Sequence, residues 1–240
     1  MNQINVEPTI SKFDKMGAII AIEGFNEQEK DIQSDLLISN LESDGYIVHH
    51  FSFPSHGDTG KTIMNVNVFN NYNDWLTPIQ IANMFLVDIT HSVSSIKKSI
   101  SDGEIVVITS YIGTIISRVA PYLPDASYFS FYNELKKIID QIENLAYNIL
   151  SIPRPDIVFH FDGSQDDTIE DAKNNKGFYL SNDPSYIKEE ASASRTISQL
   201  KKWKDIDSIH EDPNNTAAMV YEIFKNCINL DNKYFNFTKK

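Results

Sequence analysis

The 240-residue chain has a single cysteine, only three arginines and no apolar run approaching the roughly 20 residues that a membrane-spanning helix requires. Cys227 by itself excludes an internal disulfide and fits a reducing compartment. The first residues, MNQINVEPTISKFDK, lack the apolar centre of a signal peptide, so the expected location is the cytoplasm. The six histidines show no metal-ligand spacing, and no metal site is expected. A formal charge of −12 opposes DNA, RNA and anionic membrane, so neither nucleic acid nor membrane is expected as a partner. With Arg118, Arg154 and Arg195 the only arginines, a site that needs several guanidinium groups has few candidates.

The pattern present is that of an alternating α/β chain. Residues 1–15 are polar and without strong period, which predicts a loose arm before one domain over 16–230 and a tail over 231–240. The run GAIIAIEG, 17–24, reads as a buried parallel strand. Ile32, Leu36, Leu37 and Leu41 recur at helical spacing and predict a helix from residue 31 to near Gly45. Further strands are expected over 46–53, 104–109, 156–161 and 205–209. Further helices are expected over 76–100, 128–150, 185–203 and 215–228, while QDDTIEDAKNNKG predicts an exposed, mobile segment. Strands alternating with helices imply a parallel sheet covered on both faces.

In such a sheet, ligands bind beyond the carboxyl ends of the strands, which puts the loop after Gly24 first. The phosphate-binding pattern G-x-x-x-x-G-K-[ST] maps onto Gly24, four residues, Glu29, Lys30 and Asp31, and keeps two of its four defining residues. A phosphate loop aims bare backbone N–H groups at anionic oxygens, with glycine allowing close approach. Here Glu23, Glu27, Glu29 and Asp31 stand against Lys30, which predicts repulsion of a nucleoside triphosphate.

The order of segments from Gly17 onward resembles the thymidylate kinase (dTMP kinase) family. The residues that carry the likeness are Ile22-Glu23-Gly24, Gln33, Phe53-Pro54 followed by Thr59-Gly60-Lys61, MFLVDI at 84–89, GEIVVITSY at 103–111 and IPRPDIVFHFD at 152–162. The resemblance implies a three-layer, P-loop NTPase-like α/β fold: a parallel sheet with helices on both faces. It also implies transfer from ATP, with magnesium, to dTMP, giving ADP and dTDP. Nucleotide-binding positions would be Gly24, Asn26, Lys30, Phe53, His56, Phe85 and Tyr111. The helical segment 76–100 would form a homodimer.

The departures from the family fall in one functional class. Its loop glycine is Glu29, its magnesium-ligating hydroxyl is Asp31 and its loop aspartate is Asn26; its aspartate-arginine pair is Thr109-Ser110, and two further arginines are His56 and Ile89. Phosphoryl transfer rests on cations neutralising the moving group, so these losses together predict a pseudoenzyme with a degenerate P-loop and no confident catalytic residue. Protein contacts, through a homodimer or another protein, are the expected mode of action. Two alternatives stand beside it: an active dTMP kinase using ATP and magnesium at a rearranged site, and a nucleotide-binding protein without transfer.

Individual residues also have plainer readings. Lys30 is expected as a solvated surface lysine, Phe85 equally as core or as a platform for a base, Tyr111 as packing and His56 as an exposed loop residue. Trp75 and Trp203 read as packing residues, and Asp156 and Asp162 as strand-end or loop-capping groups. Richness in Asn, Ile, Lys and Asp points to an AT-rich, viral or divergent intracellular source.

Overall fold

The computed structural model describes residues 17–65, 77–123, 128–174, 176–208, 211–230 and 237–239. The expected arm over 1–15, Trp75, and most of the tail lie outside them.

Five strands form one sheet: β1 (Ala18–Gly24), β2 (Val48–Ser52), β3 (Ile105–Thr109), β4 (Ile157–Asp162) and β5 (Lys204–Asp207). Their order is β2-β3-β1-β4-β5 and every pairing is parallel. All residues of β1 and β3 are buried, as the continuous apolar runs of central parallel strands require. The edges carry the polar sequences VHHFS and KDID, which discourage further strand addition.

Alternate residues of β1 enter two separate cores. Ile20 and Ile22 join Phe159, Phe161 and Ile105 under α1 (Glu27–Ser43), which supplies Leu37 and Leu41. The same layer contains Val220, Phe224 and Ile228 of the last helix (Pro213–Leu230). Ile19 and Ala21 face the larger core on the other side. Between β2 and β3 the chain forms α2 (Asp58–Asn65), α3 (Pro78–Thr90) and α4 (Val93–Ser101). After β3 come α5 (Ile112–Val119) and α6 (Tyr128–Glu143). After β4 come α7 (Gln165–Lys173) and α8 (Pro184–Lys201), so the terminal helix is α9. The larger core draws Ile81, Phe85 and Ile89 from α3, Ile115 from α5, Ile139 from α6 and Ile197 from α8.

Four expectations need correction. First, α1 begins at Glu27, because the Asn26 side chain caps it, and Ile32 points to solvent at 42% exposure. Second, the helix expected over 76–100 is broken at His91-Ser92 into α3 and α4. Third, the helix expected over 128–150 loosens into a π turn, Asn144–Ile149. Fourth, the supposedly mobile polar segment contains α7: Ser164 caps it, and Thr168, Ile169 and Ala172 are buried.

The face assignments make a direct prediction. Phe159→Ala, in the α1/α9 core, should cost about 3–5 kcal/mol in urea denaturation. Ile32→Ala should change stability by no more than about 0.5 kcal/mol. Equal costs would contradict the assigned faces.

Candidate functional site

From β1 the chain moves to one side of the sheet for β2 and β3, then crosses to the other for β4 and β5. This reversal opens a crevice at the carboxyl end of β1, where Gly24 turns the chain toward α1. Gly24 has φ 145°, and a Cβ there would lie 2.5 Å from the Phe161 carbonyl oxygen. Glycine is therefore required by close approach of two strands as well as by conformation.

The N-terminus of α1 is already occupied by the protein's own groups. Glu29 N–H donates to Asn26 Oδ1 at 2.9 Å, Lys30 N–H to the Asn26 carbonyl at 3.3 Å and Glu27 N–H to Tyr179 Oη at 3.3 Å. Asn26 Nδ2 donates to Thr168 Oγ1 at 2.8 Å, tying the cap to α7. Such N–H groups form an anion site only when they are bare.

Lys30 is not the solvated lysine expected from the sequence: its side chain is fully buried. Its ammonium turns back to donate to the Gly24 carbonyl at 2.9 Å and Glu27 Oε1 at 2.6 Å. Arg118, brought in by α5, donates to the same Glu27 oxygen at 2.6 Å. Burial opposes ionisation of Glu27, but Arg118 and Lys30 outweigh it and hold the carboxyl below its ordinary range. Glu190 of α8 lies 4.0 Å from Arg118 Nε, and its burial pushes it up to about 7 against the pull of Arg118 and Lys30.

Residues after α7 close over this cluster. Gly177, at φ 96°, lies so near Glu27 that an added Cβ would sit 2.8 Å from the Glu27 Cβ. The Phe178 carbonyl accepts from Arg118 at 3.2 Å, and the Arg118 guanidinium lies 5.1 Å from the Phe178 ring centre and 5.7 Å from that of Phe85. Phe85 is thus a core residue whose ring packs against Arg118 and Phe178.

The remaining motif positions are engaged locally. Thr109 Oγ1 lies 2.6 Å from Ser34 Oγ and 2.8 Å from His50 Nε2. Ser110 adopts φ 61° and reaches Glu27 Oε2 at 3.5 Å. Tyr111 is buried, donates to the Pro153 carbonyl at 2.8 Å and stacks on Phe53, consistent with packing. Ile89 is buried in the core. His56 is exposed, as expected, while Asp88 accepts from both Ser55 N–H and Ser55 Oγ at 2.6 Å and anchors the Phe53-Pro54-Ser55 turn to α3. Asp156 accepts from Ile19 N–H at 2.8 Å; Asp162 accepts from Arg195 Nε, whose guanidinium lies 5.4 Å from the Phe25 ring centre.

Glu23, counted above with the loop acids, turns away from them. It accepts from Gly113 N–H at 2.9 Å, Thr114 N–H at 2.8 Å and Thr114 Oγ1 at 2.6 Å, capping α5. Burial raises its pKa, and these hydrogen bonds offset part of that shift. Glu29 and Asp31 are also raised, chiefly by partial burial. Asp31, Asp35 and Glu27 line an open cleft of about 740 Å³ with His50, Phe53 and Phe178.

A second polar constellation was not anticipated. His160 Nδ1 lies 2.9 Å from Asp205 Oδ1, and its Nε2 lies 2.8 Å from Ser194 Oγ. This is the connectivity of a nucleophilic serine triad. Ser194 is nevertheless buried in the middle of α8, Ser198 also bonds to Asp205, and neither Ser194 nor His160 lines either cavity described here. The group joins β4, β5 and α8 as a structural link. Among the described residues, no group of three or more His, Cys, Asp or Glu side chains could hold a metal ion, and no helix is long and apolar enough to cross a membrane.

Compared with protein-family models and with curated proteins, the chain matches none. Its class is therefore stated from the structure as an α/β protein with a five-stranded, all-parallel sheet.

Two predictions follow from the buried charges. Arg118→Ala, which leaves Glu27 with one cation, should cost about 3–5 kcal/mol in chemical denaturation. Glu190 has a folded-state pKa near 7, above its ordinary 4.5, so its stabilising contribution is complete below about pH 4.5 and is lost as the pH rises through about 7. Wild type should accordingly lose stability relative to Glu190→Gln between pH 5 and pH 8, measured by denaturation at both pH values.

Proposed function

We propose that this chain is a thymidylate-kinase-like pseudoenzyme, with a three-layer P-loop-type architecture, that acts through protein contacts rather than phosphoryl transfer. The observation that carries the reading is the fully buried Lys30 ammonium, bonded to the Gly24 carbonyl and to Glu27. A phosphate arriving at the Gly24 turn would have to displace an internal carboxylate held by two cations. Phosphoryl transfer needs lysine, arginine and metal charge directed at the moving group, and Lys30 and Arg118 are both directed at Glu27. Asp31 stands where a hydroxyl would serve magnesium, and Ile89 is buried where a guanidinium would be needed.

The order of strands, with β1 central and leading through Gly24 into α1, is compatible with that architecture. Val87 is 49% exposed on α3, an apolar group on the segment through which a homodimer would form.

One observation favours a second reading, ligand binding without transfer. The cleft beside Phe53 and Phe178 has a volume of about 740 Å³, within the range of small-molecule sites. Its acidic wall favours an uncharged nucleoside over a nucleotide.

A coupled assay with ATP, magnesium and dTMP tests the main reading. The expected turnover lies far below the roughly one per second at the lower end of the kinase range, and a rate within that range would overturn it. Thermal shift with thymidine, dTMP and ATP separates the second reading, because a ligand at 100 times its dissociation constant stabilises by about 2.7 kcal/mol. A shift with thymidine alone would favour that reading. Size-exclusion chromatography with light scattering should find a dimer.

A further inference from the structure

Four of the 21 basic residues come together around one cleft beside the sheet. There a cleft of about 470 Å³ opens beneath the first residues of β4 and β5, lined by Arg154, Lys201, Lys202 and Lys204 together with Tyr147 and Trp203. Its volume falls within the range of small-molecule sites. The carboxylates in its wall are already engaged. Glu143 pairs with Lys201 at 2.6 Å, Asp156 accepts from Ile19 N–H, and Glu23 caps α5. Among the described residues, Arg154, Lys202 and Lys204 have no ion-pair partner.

Two of the cations, Lys201 on Glu143 and Arg154, are held in place before any ligand arrives. The Arg154 guanidinium lies 4.1 Å from the centre of the Tyr147 ring, which the π turn presents. Its backbone is flanked by Pro153 and Pro155. The Pro153 carbonyl accepts from Tyr111, and Asp156 N–H donates to the Ile19 carbonyl at 2.8 Å. Lys202 sits in the left-handed region at φ 54°, and Ser151, three residues before Arg154, does so at φ 56°. Lys202, the left-handed cap that ends α8, lines this cleft.

We propose that this cleft binds a small polyanion, a ligand carrying two or more phosphate or carboxylate charges. The surrounding charge of −12 selects for size: a long nucleic-acid chain meets repulsion beyond the cleft, while a small ligand meets four cations against the three carboxylates of the wall. The assignment does not rest on the kinase-like reading, since none of its four cations is a residue given there a nucleotide-binding role.

Titration calorimetry with inorganic pyrophosphate and with citrate tests it. Saturable binding is expected at low salt, weakening as salt rises. The double variant Arg154→Gln/Lys204→Gln should bind about tenfold or more weakly, since it removes two of the four cations. Lys61→Gln, an exposed lysine on α2, should bind like wild type. Both substituted positions are exposed, so an unchanged circular dichroism spectrum is expected. Binding of pyrophosphate only identifies a phosphate ligand, and of citrate only a carboxylate ligand; either supports the site. No saturable binding by either probe, or equal affinity in the double variant, would overturn it.

Discussion

A carboxylate buried at the start of α1, compensated by two cations, is the constraint around which the crevice is arranged. An isolated buried Glu27 would carry a desolvation cost of several kcal/mol. Lys30 and Arg118 remove that cost only if α1 starts at Glu27, α5 brings its last turn to the crevice, and the chain after α7 packs over both. Each condition is met by a separate contact: the Asn26 cap, the Glu23 cap on α5 and the close approach of Gly177 to Glu27. Glu190 completes the cluster from α8, and its rise to about 7 reflects burial beside a neighbouring carboxylate that already uses the available positive charge.

The two clefts differ in the charge of their linings. Acidic groups gather at the carboxyl ends of the strands, where Glu27, Asp31 and Asp35 border the larger cleft. Four basic groups gather under the first residues of β4 and β5, beside Glu23, Glu143 and Asp156. In an open α/β sheet the first location ordinarily receives anionic ligands. In this chain the Glu27 and Glu29 N–H groups of the helix terminus there are satisfied internally, while Arg154, Lys202 and Lys204 stand at the other cleft.

Much of the fold was legible in the sequence. The continuous runs of β1, β3 and β4 are what burial on both faces demands, and residues such as Leu37, Phe85 and Ile139 fall on core faces because helical period is a local property. Helix boundaries were less legible. The break at His91-Ser92 and the early start of α1 at Asn26 depend on backbone groups finding partners. Composition misjudged α7, since a few buried side chains and a serine cap hold a mostly polar helix against α8.

For the site, the sequence by itself determined which residues follow Gly24 and end β3: Glu27, Glu29, Lys30 and Asp31 in the first case, Thr109 and Ser110 in the second. It could not determine where the charges point. Only the tertiary structure turned Lys30 inward, joined Arg118 to a glutamate 91 residues earlier in the chain, and gathered Arg154 with Lys204. The reason is physical: hydrophobic period is set by neighbours along one element, whereas the partner of a buried charge is set by which elements the packed sheet brings together.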